Sequence, residues 1–304
     1  MRIGILGLGD QYSIDRAIVG ASAAAIDGFD AYWLPGEVDP ISAAVAAGRE
    51  VPGITIGISV IPVFSRHPVA LASEALMTNQ AIDGRLILGI GLSHQPIVQG
   101  KWGQPFDRPV RRLREFLQIL VGLLDDRAVD FEGQLLSAHA SVRVDGAPRP
   151  PVLVAAMGPQ TLRVAGRLAD GTDTWMTGPR TLAALTVPTI GAAAAAAGRG
   201  PPRVAAGMPV CVTDRAHEAR RRAAEEFRHH GQLPTYRAML DREGAAGPAD
   251  VVMVGDEATV RSELLRYRDA GVTDLIAFPF GDPDERDRTR AALRSVARDL
   301  VGPP

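Results

Sequence analysis

The chain has 304 residues, 46% of them hydrophobic and 22% charged, with a formal net charge of −2. That much apolar surface excludes a disordered chain, and the near-neutral balance offers no whole-molecule attraction to nucleic acid or to anionic lipid. A single cysteine, Cys211, excludes an intrachain disulfide and a cysteine-based zinc site and reads as a small packed hydrophobe, and the near absence of lysine, with Lys101 alone, points to GC-rich codons.

Short β-type runs alternate with helical periodicity, the pattern of a parallel sheet with crossover helices. In chain order, strands are predicted at Ile3 to Leu6, Ala31 to Leu34, Ile54 to Ile61, Leu86 to Ile90, Val152 to Ala155, Thr174 to Thr177, Val204 to Val212 and Leu275 to Phe278. Several are continuous apolar runs, as strands buried on both faces are. Helices are predicted at Ile14 to Ile26, Val69 to Ile82, Arg111 to Leu124, Gln160 to Leu168 and Leu182 to Ala197. Eight such units predict an α/β fold of the (β/α)8 barrel class, with residues 1–304 as one domain. Two connections, Ser93 to Pro151 and Thr213 to Thr273, exceed a minimal barrel and read as insertions. The second holds a charged helix whose acids and bases describe a solvated face, a loop around Gly231 to Pro248, and a helix from Glu257. No stretch approaches the roughly 20 apolar residues of a membrane span. The apolar N-terminal run meets Asp10 and Gln11 before a signal-peptide core would end, so the expected location is cytoplasmic.

Three stretches could carry chemistry. The opening ILGLGD supplies Gly7 and Gly9 of a dinucleotide fingerprint, but its third position is Tyr12, whose ring would obstruct helix-to-strand packing. In VLVAAMGPQTLRVAG, Pro159 sits where a first helical residue belongs, leaving the N–H groups of Gln160 and Thr161 beside Gly158. That arrangement suits an anion and, equally, ordinary helix initiation. In ILGIGLSHQP, Gly89, Gly91, Ser93 and His94 fall at the C-terminal end of the fourth strand, where barrel chemistry sits. His94 is either a proton-exchanging group or a structural hydrogen-bonding residue. His67 reads as a turn or cap residue, and His139, His217, His229 and His230 as exposed. No spacing suggests a metal site or a hydrolase elbow.

The ordered set GFDAYWLPGEVD, GISVIPVFSRHPVALASEALM, GRLILGIGLSHQPIV, KWGQPFDRPVRRLREFLQILVGLL, AAMGPQTLRVAGRLADGTDTWMTGP and GVTDLIAFPFGD resembles the bacterial luciferase-like superfamily over nearly the whole chain. Within it the chain is similar to the actinobacterial branch that uses the deazaflavin coenzyme F420. The resemblance implies a (β/α)8 TIM barrel with insertions after strands 4 and 7, holding a flavin-like tricycle at its C-terminal mouth. It implies a non-prolyl cis peptide at Ser59-Val60 supporting the ring, contacts from Ser93, and a phosphate held by Met157, Gly158, Gln160 and Thr161. Where sugar-phosphate dehydrogenases of the superfamily carry an Asp-His pair, this chain has Gly36-Glu37. Where they carry a glutamate, it has His94, and where a lysine holds the substrate phosphate, it has Pro179 followed by Arg180.

The expected activity is reduction of an activated C=C or C=N bond by F420-borne hydride, in a small molecule or a dehydroamino acid of a peptide. His94 is the expected acid and Glu37 the second candidate. The alternatives are an FMN-dependent monooxygenase and a non-catalytic deazaflavin-binding protein. No metal, nucleic acid or membrane partner is expected; relatives commonly form homodimers.

Overall fold

The computed structural model describes residues 1–7, 12–36 and 39–301. Eight parallel strands close into a barrel in the order β1 (Arg2–Leu6), β2 (Ala31–Pro35), β3 (Thr55–Pro62), β4 (Leu86–Gly91), β7 (Val152–Ala155), β8 (Gly171–Trp175), β9 (Arg203–Val212) and β11 (Asp274–Pro279), which returns to β1. β5 (Ala128–Glu132) and β6 (Ser137–Ser141) form an antiparallel hairpin apart from this sheet, while β10 (Met253–Gly255) extends the far end of β9. The outer layer contains α1 (Ile14–Ile26), α2 (Pro40–Glu50), α3 (Pro68–Ala81), α5 (Pro109–Asp125), α6 (Pro159–Leu168), α8 (Val187–Ala196), α12 (Glu257–Asp269) and α13 (Pro283–Val301). The insertion after the fourth barrel strand adds α4 (Gln95–Trp102) and the hairpin; that after the seventh adds α9 (Ala216–Glu226), α10 (Arg228–Gln232), α11 (Pro234–Glu243) and β10. α7 (Pro179–Thr181) runs through a π-helical turn (Leu182–Thr186) into α8.

Helix starts follow local chemistry. Proline opens α2, α3, α5, α6 and α11, where its missing N–H costs nothing. Side-chain caps come from Ser13, Asp39 and Asp256, and from His67, whose Nδ1 accepts from the Val69 N–H at 3.3 Å. His67 is thus the cap that its position in the sequence suggests.

The main core lies between strands and helices, with Leu71, Phe116 and Leu264 fully buried. A second, smaller layer fills the barrel axis: Leu6, Ala31, Trp33, Ile87, Leu153, Ala205 and Ile276. Trp33 is only 1% exposed, and it fits because Gly4 and Gly57 lack side chains. A Cβ on Gly57 would lie 2.2 Å from the indole, and one on Gly4 would lie 2.6 Å from it. Beneath this layer Asp274 pairs with Arg2 and Arg203 at the N-terminal end. That ion pairing reads as stability rather than chemistry.

Two expectations need correction. The sixth strand, predicted at Thr174 to Thr177, lies at Gly171–Trp175. Thr172 is buried there because its hydroxyl donates to the carbonyls of Val154 and Ala156, a partnership hydropathy cannot register. The predicted loop at Gly231 to Pro248 contains α11, closed by Gly244 in the left-handed conformation.

Candidate active site

A cavity of about 940 Å³ opens at the C-terminal mouth of the barrel. Its floor is the end of β3, where Ser59-Val60 is a cis peptide, as the resemblance implied. Val60 reaches inward over β4 because Gly89 and Gly91 are bare: a Cβ on Gly91 would stand 2.8 Å from the Val60 side chain. Ser93 and His94 come from the turn between β4 and α4, with Ser93 at φ +60° and His94 at the N-cap position of α4, its side chain making no capping hydrogen bond. Ile97 and Trp102 of α4 continue that wall, and Met157 enters from the loop after β7.

The opposite wall is aromatic. Trp175 ends β8, Phe278 lies one residue before the end of β11, and the insertion after β9 brings Phe227 and His230 against them, with Tyr236 behind His230. The Tyr236 ring lies 5.5 Å from His94 and 5.2 Å from His230. His230 was expected at the surface; it is half-buried in this wall, because α10 lays it against Trp175 at 6.2 Å. Burial and the neighbouring His229 and His94 push its pKa down to about 4. Burial, and secondarily His229, also lower the pKa of His94, so its neutral form is favoured near neutral pH. His139, by contrast, is exposed, on the β5–β6 hairpin between Asp130 and Glu132.

Between Ser59 of the floor and Tyr236 of the aromatic wall lies Asp173, a lining residue only 4% exposed. In the sheet it stands opposite Ala205, whose other neighbour is Asp274. The two carboxylates thus flank one residue, yet their surroundings differ. Asp274 has two arginines and hydrogen-bond donors that hold its pKa below the usual carboxylate range against the opposing effect of burial. For Asp173, burial dominates and raises the pKa to about 7; the Ser59 hydroxyl donates to it, and Asp274 adds repulsion. Its Oδ2 has no hydrogen-bond partner. Near it, Tyr236 has a pKa raised by burial and by the Asp173 charge.

Of the residues expected to hold a cofactor, Ser59, Val60, Ser93 and Met157 line this cavity together with His94. Gly158, Gln160 and Thr161 stand apart from its lining, at the start of α6. No side chain caps that helix; the Thr161 hydroxyl donates to the Gly158 carbonyl at 2.9 Å. Glu37 and Gly9 lie outside the described residues. Arg180, which could have replaced a phosphate-holding lysine, is exposed and donates to the Glu243 carbonyl at 3.2 Å. Cys211 is buried among Ala219, Phe227 and Phe280, a packed hydrophobe as expected. Asp173, Tyr236 and His230 were missed by sequence reasoning. The one available signal was an acid inside a strand, G-T-D-T-W, whose neighbours are otherwise buried.

A profile of the luciferase-like monooxygenase family matches residues 1–274. The chain is similar to the 5,10-methylenetetrahydromethanopterin reductase of Methanolobus tindarius, with 24% identity over 317 residues, 93% of this chain and 94% of that one. A solved F420-dependent secondary alcohol dehydrogenase in complex with an F420-acetone adduct superposes with a TM-score of 0.82 at 18% identity, over 98% of this chain and 99% of that one. The oxygenating constituent of 3,6-diketocamphane monooxygenase from Pseudomonas putida, solved with FMN, gives 0.77 at 19% identity, over 100% and 99%. Both structures share the closed barrel. With that architecture and a profile match over most of its length, the chain belongs to the luciferase-like monooxygenase family.

Proposed function

We propose that the chain is a coenzyme F420-dependent oxidoreductase that reduces an activated C=C or C=N bond, in a small molecule or in a dehydroamino acid of a peptide. The observation that carries this reading is the cavity itself. It is roomy enough for a flavin-like tricycle, its floor is a backbone peptide backed by side-chain-free glycines, and an uncapped helix start follows directly in the chain on Met157 of its lining. Those features fit the group. Ser59, Val60, Ser93 and Met157 would hold the ring, and the N–H groups of Gln160 and Thr161, with Gly158 leaving room, would hold the phosphate. The similarity to the methanopterin reductase over nearly its full length supports F420 as the carrier.

When bound, a deazaflavin supplies hydride, because carbon replaces nitrogen at its reactive centre. The chain's residues supply the rest. The aromatic wall of Trp175, Phe227 and Phe278 excludes water, and His94, in the same lining, would donate a hydrogen bond that activates the acceptor. Titration with oxidised F420 and with FMN, followed by turnover of the reduced deazaflavin with cyclohexenone and cyclic imines, tests the reading. Micromolar FMN binding without deazaflavin binding overturns it, in favour of a flavin monooxygenase, the second reading that the FMN-bound neighbour supports. Deazaflavin binding without turnover of any acceptor favours a non-catalytic carrier. The same reading carries a homodimer acting in the cytoplasm, checked by light scattering and by cell fractionation. Among the described residues no helix is long and apolar enough to cross a membrane.

A further inference from the structure

We propose that Asp173 is a second catalytic residue of this cavity, a neutral carboxylic acid that delivers the proton completing the reduction. The inference rests on the reductase reading above and extends it to a group that, like His94, lies beside Tyr236.

Asp173 is nine-tenths or more buried, lines the cavity and carries an oxygen with no partner. Among the described residues no arginine or lysine pairs with it, in contrast to Asp274 one strand further on. An ionised carboxylate left unpaired in a barrel interior is costly, so the group keeps its proton near neutrality. A protonated carboxyl is a hydrogen-bond donor as well as an acid. The groups facing it from each packed element are Ser59 on β3, Asp274 on β11 and Tyr236 on α11. The first donates to it, the second repels its charge, and the third is a phenol whose own ionisation is suppressed. None competes for its proton. His94, whose charge is disfavoured by burial and by His229, is poorly supplied with protons at the same pH.

The two groups therefore divide the work on an enone. Neutral His94 donates a hydrogen bond to the carbonyl oxygen. With hydride supplied at the β-carbon by the deazaflavin when bound, Asp173 would give its proton to the α-carbon, where the C=C electron pair accepts it. The substrate gains two electrons and two hydrogens, the deazaflavin is oxidised, and the Asp173 carboxylate recovers its proton from solvent.

The test compares Asp173→Asn with the unaltered protein, using reduced F420 and cyclohexenone over pH 5 to 9. Expected is an alkaline fall in kcat/KM near pH 7 in the unaltered protein, and in the variant a loss of about 10²- to 10⁴-fold with that fall abolished. Deazaflavin affinity should change less than about threefold, since the carboxyl's proton rather than its shape is removed. A readout independent of turnover is the ¹³C shift of the Asp173 carboxyl in the cofactor-free chain, expected to titrate near neutrality and to disappear in the variant. Turnover within about tenfold of normal with the alkaline fall intact, or a carboxyl titrating near pH 4, would overturn the proposal while leaving the cofactor reading standing. Absence of deazaflavin binding or of turnover in the unaltered protein overturns the reductase reading and this proposal with it.

Discussion

Asp173 and Asp274 are the same side chain on either side of Ala205, and their difference is the difference between an unpaired and a paired interior charge. The folded pKa of Asp173, about 7, stands above the unfolded value of about 3.9, so the folded state holds an extra proton between those values. Stability linked to this group is therefore fully present below about pH 4, declines as pH rises, and is lost above about pH 7. Integrated over that window the effect is at most about 4 kcal/mol. Asp173→Asn should flatten the dependence of the unfolding midpoint on pH between 4 and 7, read by denaturant melts at several pH values. His94→Ala should retain deazaflavin affinity and lose about 10²- to 10⁴-fold in turnover. A drop smaller than about tenfold at saturating substrate, with chemistry rate-limiting, assigns His94 a structural role. His94 was legible in the sequence because glycines announced the end of its strand. Asp173 was not, because its meaning lies in the missing arginine, and absence of a spatial neighbour leaves no trace in a linear pattern.

At the scale of elements, α11 caps the start of α7 with a carboxylate. Glu243 accepts from the N–H groups of Arg180 at 3.1 Å and Thr181 at 2.8 Å and from the Thr181 hydroxyl at 2.7 Å. This is a helix cap supplied from a distant segment, and it joins the loop after β8 to the insertion that carries Tyr236 and His230. Glu243→Ala should cost about 0.5–2 kcal/mol of stability and, by loosening α11, weaken turnover more than a surface change would. Chemical denaturation and steady-state kinetics check the two parts. Arg180→Ala, in contrast, should leave activity unchanged, and glucose 6-phosphate should not be oxidised, because the guanidinium is committed to α11. Saturable oxidation of that sugar phosphate, lost in the variant, would reverse this. The barrel strands were legible as apolar runs, and α1 was legible to its exact ends, Ile14 and Ile26. α11 was hidden because its sequence, PTYRAMLDRE, buries only Met239 and Leu240 and so carries a weak apolar stripe.

For the whole molecule, the insertions after β4 and β9 meet in the cavity wall through the contact of His94 with Tyr236. A ligand bound beside that contact stabilises the folded chain by mass action, about 2.7 kcal/mol at a hundredfold excess over Kd. Thermal melts should therefore rise with F420 and stay flat with FMN at equal concentration. The barrel was legible as a whole because eight strand-helix units need only periodicity to be seen, whereas the convergence of two insertions depends on side chains far apart in sequence.

The Trp33 layer across the barrel axis carries a consequence for the order of events. Leu6, Trp33, Ile87, Leu153 and Ile276 fill the axis between the upper cavity and the arginine–aspartate cluster below, so among the described residues the cavity opens only at the C-terminal mouth. Whatever occupies the floor over Ser59 must enter before the molecule that sits above it, and cannot leave until that molecule has gone. Traffic through such a dead end is last in, first out. Initial-rate and product-inhibition patterns should accordingly be those of an ordered sequence, with the floor ligand as the first to bind and the last to depart.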